Sequence, residues 1–167
     1  MEIIPLTEKH YPQVARIYQQ GLATGVATFE TEVPSWEQWN EKFLQVCRYV
    51  MVEADEVVAW CALSATSKRV VYRGVAEDTI YVAAAHQGKG VGNQLLTYLV
   101  GQSEAAGFWT LQAGIFPQNK ASIALHKQCG FRILGIREKV AQRNGVWQDN
   151  VIMERRSKIV NYQNTDE

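Results

Sequence analysis

The chain has 167 residues, 47% of them hydrophobic and 20% charged, with 17 basic and 17 acidic side chains. This length and composition are typical of one globular domain, and the zero net charge argues against nucleic acid or an acidic membrane surface as a partner. Three widely spaced cysteines predict neither a disulfide framework nor a metal site, and no apolar run approaches the ~18 residues of a membrane span, so the cytoplasm is the expected location.

The N-terminal third predicts a strand and two helices. Residues 1–6 are strand-like, and the segment after them has the period of a helix. The apolar face of this helix is formed by Tyr11, Val14, Ile17, Tyr18 and Leu22. Residues 25–34 have no helical period and predict a loop or a short extended piece. Ser35 and Gln38 then form a capping box that predicts a second helix. Its apolar face is expected to consist of Trp36, Trp39, Phe43 and Val46.

The rest of the chain alternates between strands and helices. Strands are predicted at residues 49–53, 57–63, 75–82, 110–115, 133–143 and 146–155. Helices are predicted from the low nineties to Gly107 and at residues 120–128. Asn144-Gly145 is a strong hairpin signal between the last two strands. This order predicts an α+β sandwich of one mixed sheet with helices on both faces, formed by residues 1–156, and a polar tail at residues 157–167 that is expected to fray.

A glycine-rich turn, Gln87-Gly88-Lys89-Gly90-Val91-Gly92, separates an apolar strand from the following helix. Glycines let the backbone approach a ligand oxygen closely, and a helix start offers free N–H groups and a positive dipole end. The turn therefore predicts a diphosphate site. A Walker A loop is excluded because Ala83 stands where its first glycine is required. The GxGxxG fingerprint is excluded because Asn93 or Leu95 stands at its last glycine.

The spacing of Gln87, Gly90 and Gly92 resembles the coenzyme A pyrophosphate motif of the GNAT superfamily of acyl-CoA-dependent N-acyltransferases. Residues 119–131, an Asn followed by a helix that ends in Gly-Phe, are similar to a second motif of that family. The resemblance implies a mostly antiparallel GNAT sheet, acetyl-CoA as co-substrate and no metal. The residues that it implies for coenzyme binding are Val82, Ala83, Ala84, Gln87, Gly88, Lys89, Gly90, Val91, Gly92, Asn93 and Asn119. Asn119 is also a candidate cap for the helix after it.

Three further segments resemble phosphinothricin acetyltransferases. They are residues 25–30, the pair Tyr72-Arg73 and residues 145–149. The resemblance implies acetylation of the amino group of phosphinothricin, methionine sulfoximine or methionine sulfone, and a homodimer. Phe29, Glu30, Tyr72 and Arg73 are the candidate acceptor-binding residues. Arg73 is the candidate for a substrate carboxylate, because a guanidinium matches two oxygens.

Two residues are candidates for proton transfer. An amine with a pKa of about 8 to 10 must lose a proton before it attacks, at a cost of about 1.4 to 4 kcal/mol at pH 7. The resemblance places the candidate base at Glu77. His126 stands where many GNAT enzymes have a tyrosine that protonates the departing thiolate, and it could do so, hydrogen-bond the sulfur, or be structural. Backbone N–H groups near Val82 and Ala83 are the expected donors to the oxyanion.

Other functions stay open on the sequence alone. The acceptor could be a peptide N-terminus, a polyamine or an antibiotic, with the chemistry unchanged. From another class, the chain could be a non-catalytic acyl-CoA sensor that keeps the glycine turn without turnover. No cysteine lies in a motif with a histidine, so direct transfer is expected rather than an acyl-enzyme.

Overall fold

The computed structural model describes residues 1–164, and its strands form one seven-stranded sheet in the order β1-β2-β3-β4-β5-β7-β6. The strands are β1 (Glu2–Pro5), β2 (Tyr49–Glu53), β3 (Glu56–Ala65), β4 (Val75–Val82), β5 (Thr110–Ile115), β6 (Arg132–Arg143) and β7 (Val146–Arg156). The helices are α1 (Tyr11–Ala23), α2 (Trp36–Lys42), α3 (Val91–Ala105) and α4 (Lys120–Gln128). No helix within these residues is long and apolar enough to cross a membrane.

The sheet is antiparallel throughout except between β4 and β5, which run parallel. These two strands pair at only three positions, and the last of them joins Glu77 to Gln112. Beyond it, β4 continues along β3 to Val82, while β5 continues along β7 to Ile115. The two central strands therefore part after Glu77 and leave a gap in the middle of the sheet.

Each face of the sheet carries its own apolar core. On one face Leu95, Leu96 and Leu99 of α3 pack with Leu63 and Met153 of the sheet. On the other face the side chains of α1 and α2 pack with Trp60 of β3. This arrangement confirms the predicted mixed, mostly antiparallel sheet with helices on both faces.

The two N-terminal helices follow the predicted pattern except at one end. The predicted apolar face of α1 is buried, and the Ser35–Gln38 capping box of α2 is present. The prediction that α2 extends to Val46 is wrong, because α2 ends at Lys42 and Val46 is 51% exposed. Phe43 is extended and packs its ring against Trp60, and the N–H of Leu44 donates to the carbonyl of Leu63, so the chain leaves the helix to join the sheet.

The C-terminal hairpin is confirmed. Asn144 and Gly145 both have positive φ, at 50° and 77°, as a type I′ turn requires. The expected fraying of the tail is wrong for its first residues: Ser157 is buried, and its N–H donates to the carbonyl of Trp109 at 2.8 Å. The last part of the predicted tail, residues 165–167, lies outside the described residues.

Candidate active site

A cavity of about 880 Å³ opens where β4 and β5 part. Successive side chains of β4 point to opposite faces of the sheet. Glu77 and Tyr81 line the cavity on the face of α1 and α2, whereas Asp78 and Val82 line it on the face of α3 and α4. We call these two parts the α1–α2 half and the α3–α4 half. The cavity thus connects the two faces of the sheet through the gap between the strands.

Backbone groups of β4 also face the gap. The N–H of Ala83 donates to the carbonyl of Val58 at 2.8 Å, and in an antiparallel ladder the paired residues alternate. The N–H groups of Ile80 and Val82 therefore point away from β3, toward the gap. The expected role of the Ala83 N–H as an oxyanion donor is wrong, because that group extends the ladder with β3. The Val82 N–H keeps the orientation that such a donor needs.

The glycine turn forms part of the wall of the α3–α4 half. Gly88 and Gly90 have φ of +72° and +80°, in the left-handed region, and the space beyond their α-carbons is open to 4 Å. The first helical hydrogen bond of α3 runs from Gln94 to Gly90, so the N–H groups of Val91, Gly92 and Asn93 precede it and are free of intrahelical partners. Open backbone at a helix start fits a diphosphate.

Gly92 has a different role, in packing. A side-chain carbon built at this position would lie 3.2 Å from Cδ2 of Leu125 and 3.5 Å from Cγ2 of Val82. Its absence lets the start of α3 approach α4 and the end of β4 closely. This approach brings the free N–H groups of the helix to the cavity wall.

A buried ion pair lies in the α3–α4 half. Nε2 of His126 lies 2.8 Å from Oδ2 of Asp78, with both side chains at most 3% exposed. Nδ1 of the same ring lies 2.7 Å from the carbonyl oxygen of Ser122, which can only accept, so Nδ1 carries a proton. Burial lowers the pKa of His126, but the Asp78 charge and the hydrogen bonds to Asp78 and Ser122 outweigh it and raise the pKa overall. A raised pKa favours the positively charged form of His126 in this pair.

Glu77 lies in the α1–α2 half. Its side chain is exposed because it points into the open cavity, yet protein atoms line the cavity around it. This partial loss of water raises its pKa, and the charge of Asp78 raises it further, while Lys42 and Arg137 oppose the shift. A carboxylate with a raised pKa accepts a proton more readily than an ordinary one, as a general base must.

The loop of residues 24–35 covers the α1–α2 half. Its Phe29 ring packs edge-on against Phe116, with 4.6 Å between centroids, and the carboxylate of its Glu30 lies 3.0 Å from the ammonium of Lys42. Arg143 of β6 donates to the carbonyl of Thr28 at 3.1 Å, which ties the loop to the opposite wall. The cavity therefore has one wall suited to a diphosphate and, under this loop, a carboxylate with a raised pKa.

Comparison with known proteins identifies the family. Residues 13–131 match the Acetyltransferase (GNAT) family. The chain belongs to the GNAT family. It is therefore an N-acetyltransferase that uses acetyl-CoA.

Individual relatives cover most of this GNAT chain. A phosphinothricin N-acetyltransferase from Alcaligenes faecalis is 31% identical over 150 residues, 86% of this chain and 76% of that protein. An L-methionine sulfoximine/L-methionine sulfone acetyltransferase from Pseudomonas paraeruginosa is 28% identical over 149 residues, 86% of this chain and 87% of that protein. The structure of a GNAT superfamily phosphinothricin acetyltransferase from Sinorhizobium meliloti in complex with acetyl-CoA is 29% identical, with a TM-score of 0.87 over 99% of this chain and 93% of that chain.

Most residues predicted to bind the coenzyme line the cavity of this GNAT enzyme. They are Val82, Gln87, Gly88, Gly90, Val91, Gly92, Asn93 and Asn119. Ala83, Ala84 and Lys89 do not line it, and the N–H of Ala84 is held at 2.9 Å by Oε1 of Gln20. Asn119 accepts a hydrogen bond from the N–H of Ser122 at 3.2 Å, so its capping role is confirmed. Its contact with the coenzyme stays a prediction.

The other predicted residues divide between two places. Glu77, His126, Phe29 and Glu30 line the cavity of the GNAT domain. Tyr72 and Arg73 lie outside its lining, at a short 3-10 turn before β4. The guanidinium of Arg73 lies over the ring of Trp109, 5.5 Å from its centroid, and donates to the carbonyl of Val70 at 3.3 Å. The structure does not bring these two residues to Glu77 within one chain, and their substrate roles stay predictions.

Sequence reasoning missed part of the GNAT site. Asp78 carried a usable signal, because it alternates with apolar residues on the buried face of β4. Arg137 and Asn150, which also line the cavity, carried none, since they come from strands that only the folded sheet brings opposite Glu77. Within residues 1–164 no three His, Cys, Asp or Glu side chains lie together in a group that could hold a metal ion.

Proposed function

We propose that this GNAT enzyme transfers the acetyl group of acetyl-CoA to the amino group of a small amino-acid-like acceptor of the phosphinothricin, methionine sulfoximine or methionine sulfone type. The observation that carries this proposal is a single cavity with two chemically distinct halves. The wall of one half has open backbone suited to a diphosphate, and the other half contains Glu77. The second half lies under the loop that carries Phe29 and Glu30, and we take it as the place of a small acceptor. The names of the relatives, which act on these compounds, add support.

Binding of the coenzyme would rest on the glycine turn. The free N–H groups at the start of α3 would hold the diphosphate, and Gly88 and Gly90 would let it approach the backbone. Outward-facing backbone groups of Ile80 and Val82 would hydrogen-bond the extended arm in the gap between β4 and β5. Bound acetyl-CoA supplies the thioester on which the amine acts.

Glu77 would accept the proton of the acceptor ammonium, directly or through a water molecule. Glu77 lies in the α1–α2 half, on the opposite face from the glycine turn, which supports this half as the acceptor side of the gap. The N–H of Val82 would donate to the oxygen on which negative charge develops. Both roles need groups that are fixed before the substrate binds, and both belong to β4.

For His126 the structural role has better support than the acid role. Both of its ring nitrogens are engaged by protein oxygens, Nε2 by Asp78 and Nδ1 by Ser122. A proton transfer to the departing sulfur would need one of these hydrogen bonds to break. We propose that His126 holds α4 against β4 and that its positive charge favours the nearby thiolate without donating a proton.

Direct transfer to the amine is supported by the cysteines. Cys47, Cys61 and Cys129 are free thiols, none of them lines the cavity, and burial raises the pKa of each. A nucleophilic cysteine needs the opposite, a lowered pKa and access to the substrate. Free thiols are also the form that a reducing cytoplasm maintains, and we propose that location.

We further propose that the enzyme forms a homodimer. The outer strands β6 and β7 expose apolar side chains, which are a common feature of protein interfaces. They are Ile133, Leu134, Ile136, Val140, Val146 and Trp147, each 43% to 62% exposed. Sedimentation equilibrium tests the assembly, and a monomer at micromolar concentration would count against it.

The test of the proposed function is the release of free thiol from acetyl-CoA in the presence of an amine panel. The panel contains phosphinothricin, methionine sulfoximine, methionine sulfone, common amino acids, spermidine and a short peptide. Turnover with the first three supports the proposal. Turnover only with the peptide or spermidine would reject the acceptor class, and coenzyme binding without any turnover would favour a non-catalytic sensor.

A further inference from the structure

Two cationic side chains line the α1–α2 half, and their surroundings differ. The ammonium of Lys42 lies 3.0 Å from the carboxylate of Glu30, which neutralises it. Arg137 takes part in none of the ion pairs found in residues 1–164. Arg137 is therefore the cation of this half that has no anion of its own.

The position of Arg137 is fixed by the pairing of β6 with β7. Arg137 stands opposite Asn150, and cross-strand partners share one face of the sheet. Asn150 lines the cavity, and its amide oxygen occupies the space that a side-chain carbon at Gly114 would need, at 2.9 Å. The Arg137 and Asn150 side chains therefore lie on the cavity face, next to one another, on the wall opposite Glu77.

A bulge in β6 follows Arg137 directly. The register of β6 against β7 shifts between Arg137 and Ala141, and Lys139 within the shift has a φ of +42°. The N–H of Lys139 donates to the Asp149 carboxylate at 2.8 Å, which holds the bulge in place. Bulges re-aim neighbouring side chains, and this one returns Val140 and Ala141 to the cavity lining beside Arg137.

The charges of Glu77 and Arg137 are complementary to those of an amino acid. Both side chains line the same cavity and do not meet in an ion pair within residues 1–164, so both stay available to a small molecule bound there. A guanidinium presents parallel N–H groups that match a carboxylate, and the Asn150 amide adds a further donor. The α-amino group of the same molecule would then face Glu77.

We propose that Arg137, assisted by Asn150, binds the α-carboxylate of the acceptor and makes the enzyme selective for α-amino acids over simple amines. This inference rests on the proposed function. It assigns the carboxylate to Arg137 rather than to Arg73, whose guanidinium is held against Trp109 outside the cavity lining.

The test compares two acceptors that differ only in the carboxylate, methionine sulfone and methylsulfonylpropylamine. Loss of a charged hydrogen-bonding partner corresponds to about a 10- to 100-fold change in binding. Arg137→Gln is expected to raise KM for methionine sulfone by that factor and to leave KM for the amine within about twofold. Arg137→Lys, which keeps the charge without the fork, should lie between wild type and Arg137→Gln.

Arg132→Gln is the matched control. Arg132 lies on the same strand, but its side chain is 72% exposed and pairs with Glu154 outside the cavity lining. This variant should behave as wild type. The assays are run at several pH values, because any effect of Arg137 on Glu77 ionisation would change both acceptors alike.

Three results would overturn the inference. Equal losses for both acceptors would mean a structural role for Arg137, and an unchanged KM would mean no contact with the carboxylate. A carboxylate-selective loss in Arg73→Ala, absent in Arg137→Gln, would return the role to Arg73. Failure of the proposed function is seen separately, since wild-type enzyme would then acetylate neither acceptor, and the role of Arg137 would fall with it.

Discussion

The imidazole of His126 and the carboxylate of Asp78 form a buried ion pair, at 2.8 Å, one residue beyond the last pairing of β4 with β5. The pair joins α4 to β4 where the two central strands separate. Because α4 follows β5 in the chain, the ion pair connects both sides of the gap. A contact between charged side chains therefore links the two sides of the cavity on this face.

Removal of Asp78 should destabilise the fold strongly. Asp78→Ala leaves the His126 cation buried without its partner, and breaking a buried pair in this way costs about 3 to 5 kcal/mol. The double variant Asp78→Leu with His126→Leu removes both charges and should be less destabilised than Asp78→Ala alone. Urea unfolding followed by circular dichroism measures these proteins together with wild type and the single variants Asp78→Leu and His126→Leu. A double variant that loses the sum of the two single losses would show that the side chains are not coupled.

The same pair predicts a pH dependence of stability. The pKa of His126 is raised in the folded protein above its unfolded value of about 6.5. Its stabilising contribution is therefore complete below about pH 6.5 and is lost as the pH rises through the folded-state pKa. The free energy of unfolding of wild type should fall over this range relative to His126→Gln. Parallel pH profiles for the two proteins would contradict a protonated His126.

Local signals predicted the elements of this fold well. The capping box at Ser35 and Gln38 and the turn at Asn144-Gly145 depend on neighbouring residues alone, so the sequence contains all that they need. The end of α2 was missed because Phe43 leaves the helix to pack against Trp60, a residue of another strand. The spacing of apolar residues along a helix gives no information about a contact with a distant strand.

In the active site, too, local features were predictable from the sequence and long-range contacts were not. The glycine turn and Glu77 lie within one continuous segment whose pattern resembles a known family, and both face the cavity as expected. The partner of His126 lies 48 residues earlier in the chain, and Arg137 reaches the cavity only through the register and bulge of β6. The first feature follows from the packing of α4 on the sheet and the second from strand pairing, and a single sequence specifies neither.

Glu77→Gln should lower kcat/KM for the acceptor by about 100-fold or more, because the amide cannot take the proton of the ammonium. The pKa of Glu77 is raised, so wild-type activity should increase with pH through a step above the usual carboxyl range, as Glu77 loses its proton. That step should disappear in the variant. Glu41→Gln, an exposed residue of α2 outside the cavity lining, is the control and should keep the wild-type profile. An unchanged rate and profile in Glu77→Gln would exclude it as the base.

Gly90 and Gly101 allow the role of the glycine turn to be separated from general effects on α3. Gly90 has a φ of +80°, which is strained for alanine by about 1 to 2 kcal/mol, so Gly90→Ala should distort the start of the helix. We expect a raised KM for acetyl-CoA in this variant, with KM for the acceptor nearly unchanged, since only the α3–α4 half is affected. Gly101 lies inside α3 without a positive φ and with open space beside it, so Gly101→Ala should stabilise the protein by about 0.5 to 1 kcal/mol. Steady-state kinetics with each substrate varied in turn, together with thermal unfolding, measures both variants. An unchanged KM for acetyl-CoA in Gly90→Ala would show that the turn does not bind the coenzyme. A raised KM for acetyl-CoA in Gly101→Ala would show that the effect is not specific to the turn.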